Sequence, residues 1–409
     1  MTLQPSITVI GIGEDGLDGL DSAAQKRIQE ARLLVGGKRH LDLISKSSTQ
    51  SRLIWGADFS SALPRLKEAK PKDRIVVLAT GDPLWFGVAE RLIKELSSKV
   101  IEIFPNVNAF SLAAARMRWS LSDPMVRTVS VHSRPFSSIN SEIFHGHCLL
   151  VLSKNKKSPA ELAALLSIRG FGKSRMTVLE NMGGFNERQT TGLARDNWDV
   201  HRFTNLNVVA IHCEKGKNVE EWSLSPGLPE EAYDHDGKIT KSEIRSVTLS
   251  ALRPMPGEIF WDIGSGSGSV SIEWLRLYPS VHAFAFEKDK RQLARIKSNA
   301  HKLGVPRLNI IDGNVPESLE KVDATPNKIF IGGGISEPGV IEECINRLAV
   351  NGRLVVNAVT IESKHQLLTT WKKYGGDLVN ISTGYAGRIG RLNAFRPSME
   401  VTQWRWKKN

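Results

Sequence analysis

The stretch that decides the fold is Phe260-Trp261-Asp262-Ile263-Gly264-Ser265-Gly266-Ser267-Gly268-Ser269. An apolar run of strand length passes directly into a turn with glycine at every second position, and residues 270–277 then carry a helical pattern. Glycine adopts positive φ and lets the backbone approach a ligand closely, while the N-terminus of the helix that follows offers free N–H groups. The next strand candidate, residues 282–286, runs into Glu287, and an acid at the tip of a second strand can accept both hydroxyls of a ribose. NAD, FAD and S-adenosylmethionine (SAM) all use this arrangement. Asp262 favours the last, because an acid at the head of DxGxGxG repels a pyrophosphate but not a sulfonium or an amino group. The plain alternative is a glycine turn that closes an α/β unit and holds no ligand.

Outward from this turn the pattern is regular. Strand candidates at 258–263, 282–286, 308–311, 328–331, 353–357, 377–381 and 399–404 alternate with helical segments at 241–252, 270–277, 290–303, 340–348 and 363–374. Seven strands is the count of a Rossmann-like methyltransferase domain. The first half alternates too, with strands at 7–10, 75–79, 100–104, 149–152, 176–179 and 208–211, and helices at 22–31, 88–96, 109–117 and 159–168. The whole chain therefore reads as α/β with mainly parallel sheets. At 409 residues it suits two or three domains. Residues 216–237 (GKNVEEWSLSPGLPEEAYDHDG) are rich in Gly, Pro and acids with little periodicity, and are expected to be a linker. The expected domains are 1–225 and 226–409.

Composition narrows the class. With 41% hydrophobic and 24% charged residues the chain is ordinary globular protein. No apolar run approaches the roughly 18–20 residues that span a bilayer, and MTLQPSITVIGIG lacks the features of a signal peptide, so a cytoplasmic address is expected. Cys148, Cys213 and Cys344 lie far apart and the histidines show no ligand spacing, so no metal is expected. The net charge of +12 would attract phosphates, anionic lipid or a small polycarboxylate, or serve only solubility. Only Trp404-Arg405-Trp406-Lys407-Lys408 has the basic and aromatic mixture of a nucleic-acid contact, and it is short.

Further motifs carry a resemblance. Ile239-Thr240-Lys241-Ser242-Glu243-Ile244-Arg245, Leu252-Arg253-Pro254, the glycine turn, Asp312-Gly313-Asn314-Val315-Pro316-Glu317 and Phe330-Ile331-Gly332-Gly333-Gly334 together resemble the decarboxylating precorrin methyltransferase domain. That resemblance implies SAM contacts from Thr240, Gly264, Ser265, Gly266, Ser267, Gly268, Glu287 and Val315. Asn314 stands where the family usually has Asp, which implies tuning of the site. The first half resembles the tetrapyrrole methylases in their precorrin C-5 branch. The matching pieces are Val9-Ile10-Gly11-Ile12-Gly13-Glu14-Asp15-Gly16, Val35-Gly36-Gly37, Thr80-Gly81-Asp82-Pro83, Pro105-Asn106-Val107-Asn108-Ala109-Phe110 and Val178-Leu179-Glu180-Asn181-Met182-Gly183-Gly184. This implies a two-subdomain fold with SAM folded in the cleft, held near Gly81, Asp82, Asn108 and Ala109, and an opening loop whose Gly11 and Gly13 face substrate. Glu14-Asp15 departs from the Gly-Pro-Gly common in relatives.

The order of the two resemblances is that of fused enzymes of cobalamin biosynthesis. It implies two SAM sites per chain, methylation of C-5 by the first domain, and methylation of C-15 with loss of CO2 from the ring C acetate by the second. No protein nucleophile is needed, because the reduced macrocycle supplies an enamine carbon and takes up the electrons left by CO2. The glycine-spaced basic loop Gly384-Tyr385-Ala386-Gly387-Arg388-Ile389-Gly390-Arg391 is expected to clamp substrate carboxylates through Arg388 and Arg391, with a solvated surface loop as the alternative. The expected partners are a polycarboxylate tetrapyrrole and further copies of the chain, with neither nucleic acid nor membrane. An RNA methyltransferase is the competing function and a binding-only protein with decayed sites a third.

Overall fold

The structure is a computed structural model and describes residues 6–56, 59–96, 98–132 and 134–409. The chain divides into two compact units: residues up to Arg134 with Glu142–Val219, and Glu220–Asn409 with Pro135–Ser141.

The first unit holds two five-stranded sheets. One consists of β1 (Ile7–Ile12), β2 (Leu33–Gly36), β3 (Ser51–Ile54), β4 (Ile75–Thr80) and β5 (Ile101–Phe104), all parallel, in the order β3-β2-β4-β1-β5. Its central strands read as unbroken apolar runs because both faces are covered. Val9 and Val77 pack with Ala89 and Leu92, while Ile10 and Leu78 pack with Ala24 and Ile28. The second sheet consists of β6 (Val126–Ser130), β7 (Cys148–Leu152), β8 (Arg175–Glu180), β9 (Arg188–Leu193) and β10 (Asn207–His212), in the order β6-β7-β10-β8-β9. Only its β6–β7 pair is parallel.

The second unit is built on β11 (Ile259–Ile263), β12 (His282–Glu287), β13 (Asn309–Asp312), β14 (Lys328–Ile331), β15 (Arg353–Ala358) and β16 (Asp377–Ile381). A hairpin, β17 (Gly384–Ile389) and β18 (Leu392–Pro397), then leads to β19 (Val401–Lys407). The sheet order is β13-β12-β11-β14-β15-β19-β16, with β19 antiparallel to both of its neighbours. Alternate residues of β11 feed two cores. Phe260 stacks on Trp274 at 4.6 Å on one face, and Trp261 packs against Phe286 at 5.2 Å on the other. The strand order reverses between β11 and β14, the switch point where open α/β sheets bind ligands.

Two expectations need correction. The segment expected to be a linker is folded over its second half: Leu228, Ala232 and Tyr233 are buried in the core of the second unit. Gly227 and Leu228 donate backbone N–H groups to the Glu273 carboxylate at 2.7 and 3.0 Å, and the Tyr233 hydroxyl donates at 2.9 Å. The buried Arg245–Glu273 ion pair at 2.6 Å supplies the reason, since its remaining polar capacity has to be satisfied by nearby backbone. The basic loop is likewise not irregular. Residues 384–397 form a two-stranded hairpin with Ile389 opposite Leu392, and Gly390 at φ +61° makes its two-residue turn.

Candidate active sites

The glycine turn of the second unit sits at the switch point. Gly264, Gly266 and Gly268 have φ of +67°, +58° and +78°. A Cβ on Gly264 would lie 2.7 Å from the Cα of Gly333, so the loops after β11 and β14 meet backbone to backbone. Above Gly266 the space is open, the nearest atom to a Cβ being the Lys238 carbonyl at 3.8 Å. Val315 packs beside the second loop: a Cβ on Gly334 would lie 3.3 Å from its side chain.

Two carboxylates frame this turn. Glu287, at the tip of β12, accepts N–H groups from Gly266 (2.9 Å), Lys288 (2.9 Å) and Asp289 (3.0 Å). Those three bonds fix the carboxylate against the turn and leave it acceptor capacity for a diol. Asp262 is buried, and its Oδ2 accepts from the Ser265 hydroxyl at 2.9 Å and from the Ser271 hydroxyl at 2.5 Å. Its Oδ1 has no hydrogen-bond partner among the described residues. Burial pushes the Asp262 carboxyl up to about 6, with the bonds from Ser271 and Ser265 pulling the other way. Ser267 is also buried, and its hydroxyl has no partner among the described residues. Open space over Gly266, an orphaned buried acid and a fixed acceptor at a strand tip fit an adenosyl sulfonium bearing an amino group.

Thr240 is tied to the same end through Arg245, whose guanidinium donates to the carbonyls of Thr240 and Leu228 and to Glu273. Arg245 lies 5.0 Å from the Tyr233 ring centroid, and burial raises the Tyr233 hydroxyl well above its ordinary value. Sequence reasoning missed this network; the available signal was Glu273, an acid between Ile272 and Trp274 in a helix with almost every residue buried.

The hairpin stands at the same edge as the glycine turn. Ile381 pairs with Val401 and Ala358 with Thr402, so the residues between β16 and β19 leave from the carboxyl ends of the parallel strands. Its Tyr385 hydroxyl bonds Glu243 at 2.7 Å; that bond holds Glu243 low and pushes Tyr385 up to about 12. Arg388 and Arg391 are exposed, Arg391 in the turn itself, and among the described residues no hydrogen bond or ion pair joins either side chain to the glycine turn.

The first unit has a cleft between its two sheets. A smaller and a larger hollow adjoin and share Arg39, Thr80, Ala109, Leu152, Leu206 and Asn207 in their walls. Gly13 and Gly81 line the smaller and Asn108 the larger. Gly11 is not in the walls. A Cβ there would fall 1.7 Å from the Gly81 carbonyl oxygen, so Gly11 lets the ends of β1 and β4 touch. Gly81, at φ +57°, repeats the device: its Cβ would come 2.8 Å from the Asn108 Cα. Asn108 caps the helix Ala109–Met117 by accepting the Ser111 N–H at 2.8 Å. Asp82 also stays outside the walls, its Oδ1 accepting the Leu84 N–H at 2.9 Å within its own turn.

Among the described residues no group of three or more His, Cys, Asp or Glu is placed to hold a metal ion, and no helix is long and apolar enough to cross a membrane.

Residues 231–408 match the family described as precorrin methyltransferase domain, and residues 6–196 the tetrapyrrole (corrin/porphyrin) methylases. A precorrin-6Y C(5,15)-methyltransferase (decarboxylating) of Sinorhizobium sp is 41% identical, the match covering 99% of this chain and 97% of that one. A protein of the same description from Mycobacterium tuberculosis is 36% identical over 97% of this chain and 98% of its own. A probable cobalt-precorrin-6B C(15)-methyltransferase (decarboxylating) of Sulfurisphaera tokodaii is 37% identical over 153 residues, which is 37% of this chain and 80% of that one.

Proposed function

The chain belongs to the precorrin-6Y C5,15-methyltransferase (decarboxylating) family of cobalamin biosynthesis, and from that premise we propose that each compact unit is a separate SAM-dependent methyltransferase. The first unit methylates C-5 of a polycarboxylate precorrin-6 tetrapyrrole. The second methylates C-15 and releases the ring C acetate as CO2, giving precorrin-8. The observation that carries this reading is the pair of glycine turns, each at the carboxyl ends of parallel strands and each beside open space within its own unit. The relative named only for C(15) and decarboxylation aligns to 153 residues, which supports one unit sufficing for both of those steps.

Bound SAM supplies a methyl group activated by its sulfonium. The residues assigned to hold it in the second unit are Thr240, the turn Gly264–Gly268, Glu287 and Val315; in the first, Gly81, Asn108 and Ala109, with Asp82 shaping the turn. Glu287 would accept hydrogen bonds from ribose hydroxyls, and Asp262 would supply negative charge to balance an amino group or sulfonium. Because the macrocycle brings its own nucleophilic carbon, the chain's task is alignment and exclusion of water. In the second step the bond from the acetate methylene to its carboxyl carbon breaks, CO2 leaves, and the electron pair enters the conjugated ring. Arg388 and Arg391, on an exposed hairpin at the cofactor edge, pair with substrate carboxylates.

The test is the mass of the product. With reduced precorrin-6 and SAM, the full chain should add two methyl groups and lose one CO2. A Gly264→Val chain should add one methyl and lose none. Loss of CO2 from the Gly264→Val chain would contradict the division of labour while leaving the family intact.

A further inference from the structure

One cluster in the first unit has no part in the assignments above. Arg39 lies in the short helix Lys38–Asp42 that follows β2, and its side chain reaches the walls of both hollows. One guanidinium nitrogen donates to the Glu14 carboxylate. The other donates to the Thr80 hydroxyl at 2.7 Å and to Nε2 of His40 at 2.8 Å. Thr80 and His40 Nε2 are themselves 2.8 Å apart. With Arg39 able only to donate, Nε2 must be an acceptor, so His40 is neutral and carries its proton on Nδ1. Burial, followed by the Arg39 charge, pulls His40 down to about 4, in keeping with that geometry. Thr80 and His40 therefore hold the guanidinium fork in one orientation without offering it a counter-charge.

Among the described residues Glu14 is the acid that does. It comes from the loop after β1 and meets the loop after β8, where a Cβ on Gly184 would be 2.8 Å from its own Cβ. Among the residues lining the two hollows the carboxylate is Glu14, and Arg39 and Lys154 are the lysine and arginine side chains. Arg39 is about one-third exposed, so a ligand in the cleft can reach it. A planar fork fixed by neutral partners, and facing a cavity beside a carboxylate from a surface loop, is a carboxylate-recognition element with its place taken.

We infer that Arg39 is the carboxylate anchor of the first unit and that Glu14 is its resident counter-ion, displaced when a ring acetate or propionate of the substrate enters the cleft. This rests on the reading of the substrate as a polycarboxylate tetrapyrrole. Exchange of one carboxylate for another keeps the guanidinium paired throughout, so entry of the substrate leaves no partly desolvated cation alone.

The test uses the full chain with reduced precorrin-6 and methyl-13C-labelled SAM, reading initial rates of C-5 methylation by NMR. Arg39→Gln should raise KM for the tetrapyrrole roughly ten- to a hundredfold, the value of a charge-assisted bond, and change kcat little. Arg39→Lys, which keeps the charge but not the fork, should fall between. Glu14→Gln should lower KM a few-fold, because the competing carboxylate is gone. Thermal melting and calorimetry with S-adenosylhomocysteine should show all three variants folded, with cofactor affinity within about twofold of the parent. An unchanged KM in Arg39→Gln, or a KM raised by Glu14→Gln as much as by Arg39→Gln, would overturn the inference while C-5 methylation by the parent chain continues. A parent chain that does not methylate the macrocycle at all would overturn both the inference and the functional reading beneath it.

Discussion

The two glycine turns solve one problem in different ways. In the second unit, side-chain carboxylates are fastened to the turn: Glu287 takes three backbone N–H groups and Asp262 sits buried beneath, with one oxygen unpaired. In the first, the turn is made by backbone meeting backbone, with Gly11 under Gly81 and Gly81 against Asn108. The acid beside that turn, Asp82, is occupied by its own loop. A site that recognises its cofactor through charged side chains and one that does so through backbone shape should respond differently to the loss of a carboxylate and alike to the loss of a glycine.

The largest effect is expected for Gly264→Val. The positive φ and the 2.7 Å approach to Gly333 leave no room for a side chain, so affinity for S-adenosylhomocysteine in the second unit should fall more than about a hundredfold. The first unit should be unaffected. Gly266→Val meets open space and bears only the strain of its φ, so about a tenfold loss is expected. Equal losses at the two positions would mean that the loops move together on binding.

Asp262→Asn separates binding from stability. The Asp262 carboxyl is raised from 3.8 to about 6, so the folded chain binds more protons than the unfolded one between these values, and stability falls as pH rises through that window. Above pH 6 the buried charge costs on the order of 3 kcal/mol. Asn removes that cost, so the variant should melt higher at pH 7 and lose its advantage near pH 4, while cofactor affinity declines. A lower melting temperature at pH 7 would show that the acid is structurally required.

Glu287→Gln should weaken the second site roughly ten- to a hundredfold, since a charged acceptor is lost at the strand tip. The smallest effect is expected at Asp82→Ala. It removes one turn hydrogen bond worth about 1 kcal/mol and should change cofactor affinity of the first unit no more than about threefold. If it abolished binding there, the contrast between the two sites would be broken, because the first would also depend on a carboxylate.

The same contrast governs what could be read from the sequence. The glycine turn of the second unit was legible because its determinants are consecutive: strand, DxGxGxG and helix, then an acid one strand later. The strands expected in that unit are all present; the hairpin β17–β18 was missed because its exposed residues alternate apolar, basic and glycine without a buried face. In the first unit β2, β3, β6 and β9 were missed: β3, β6 and β9 are edge strands with few buried residues, and β2 is only four residues long. The cleft wall was harder still. Arg39 and His40 follow the Gly36-Gly37 pair after Lys38, but nothing in their spacing shows that Thr80 at the end of β4 and Glu14 in the loop after β1 converge on them. Composition misled once: Gly, Pro and acids between residues 216 and 237 suggested a loose connection, whereas its acids and backbone N–H groups serve the buried Arg245–Glu273 pair and the start of the helix Ser242–Leu252.

If the chain carries two independent cofactor sites, it takes up two equivalents of a cofactor product. Titration of the full chain with S-adenosylhomocysteine in a calorimeter tests it most directly. The expected stoichiometry is two, falling to one in Gly264→Val with the surviving affinity unchanged. A stoichiometry of one in the parent chain that vanishes in Gly264→Val would contradict it, leaving the cleft of the first unit with no cofactor of its own.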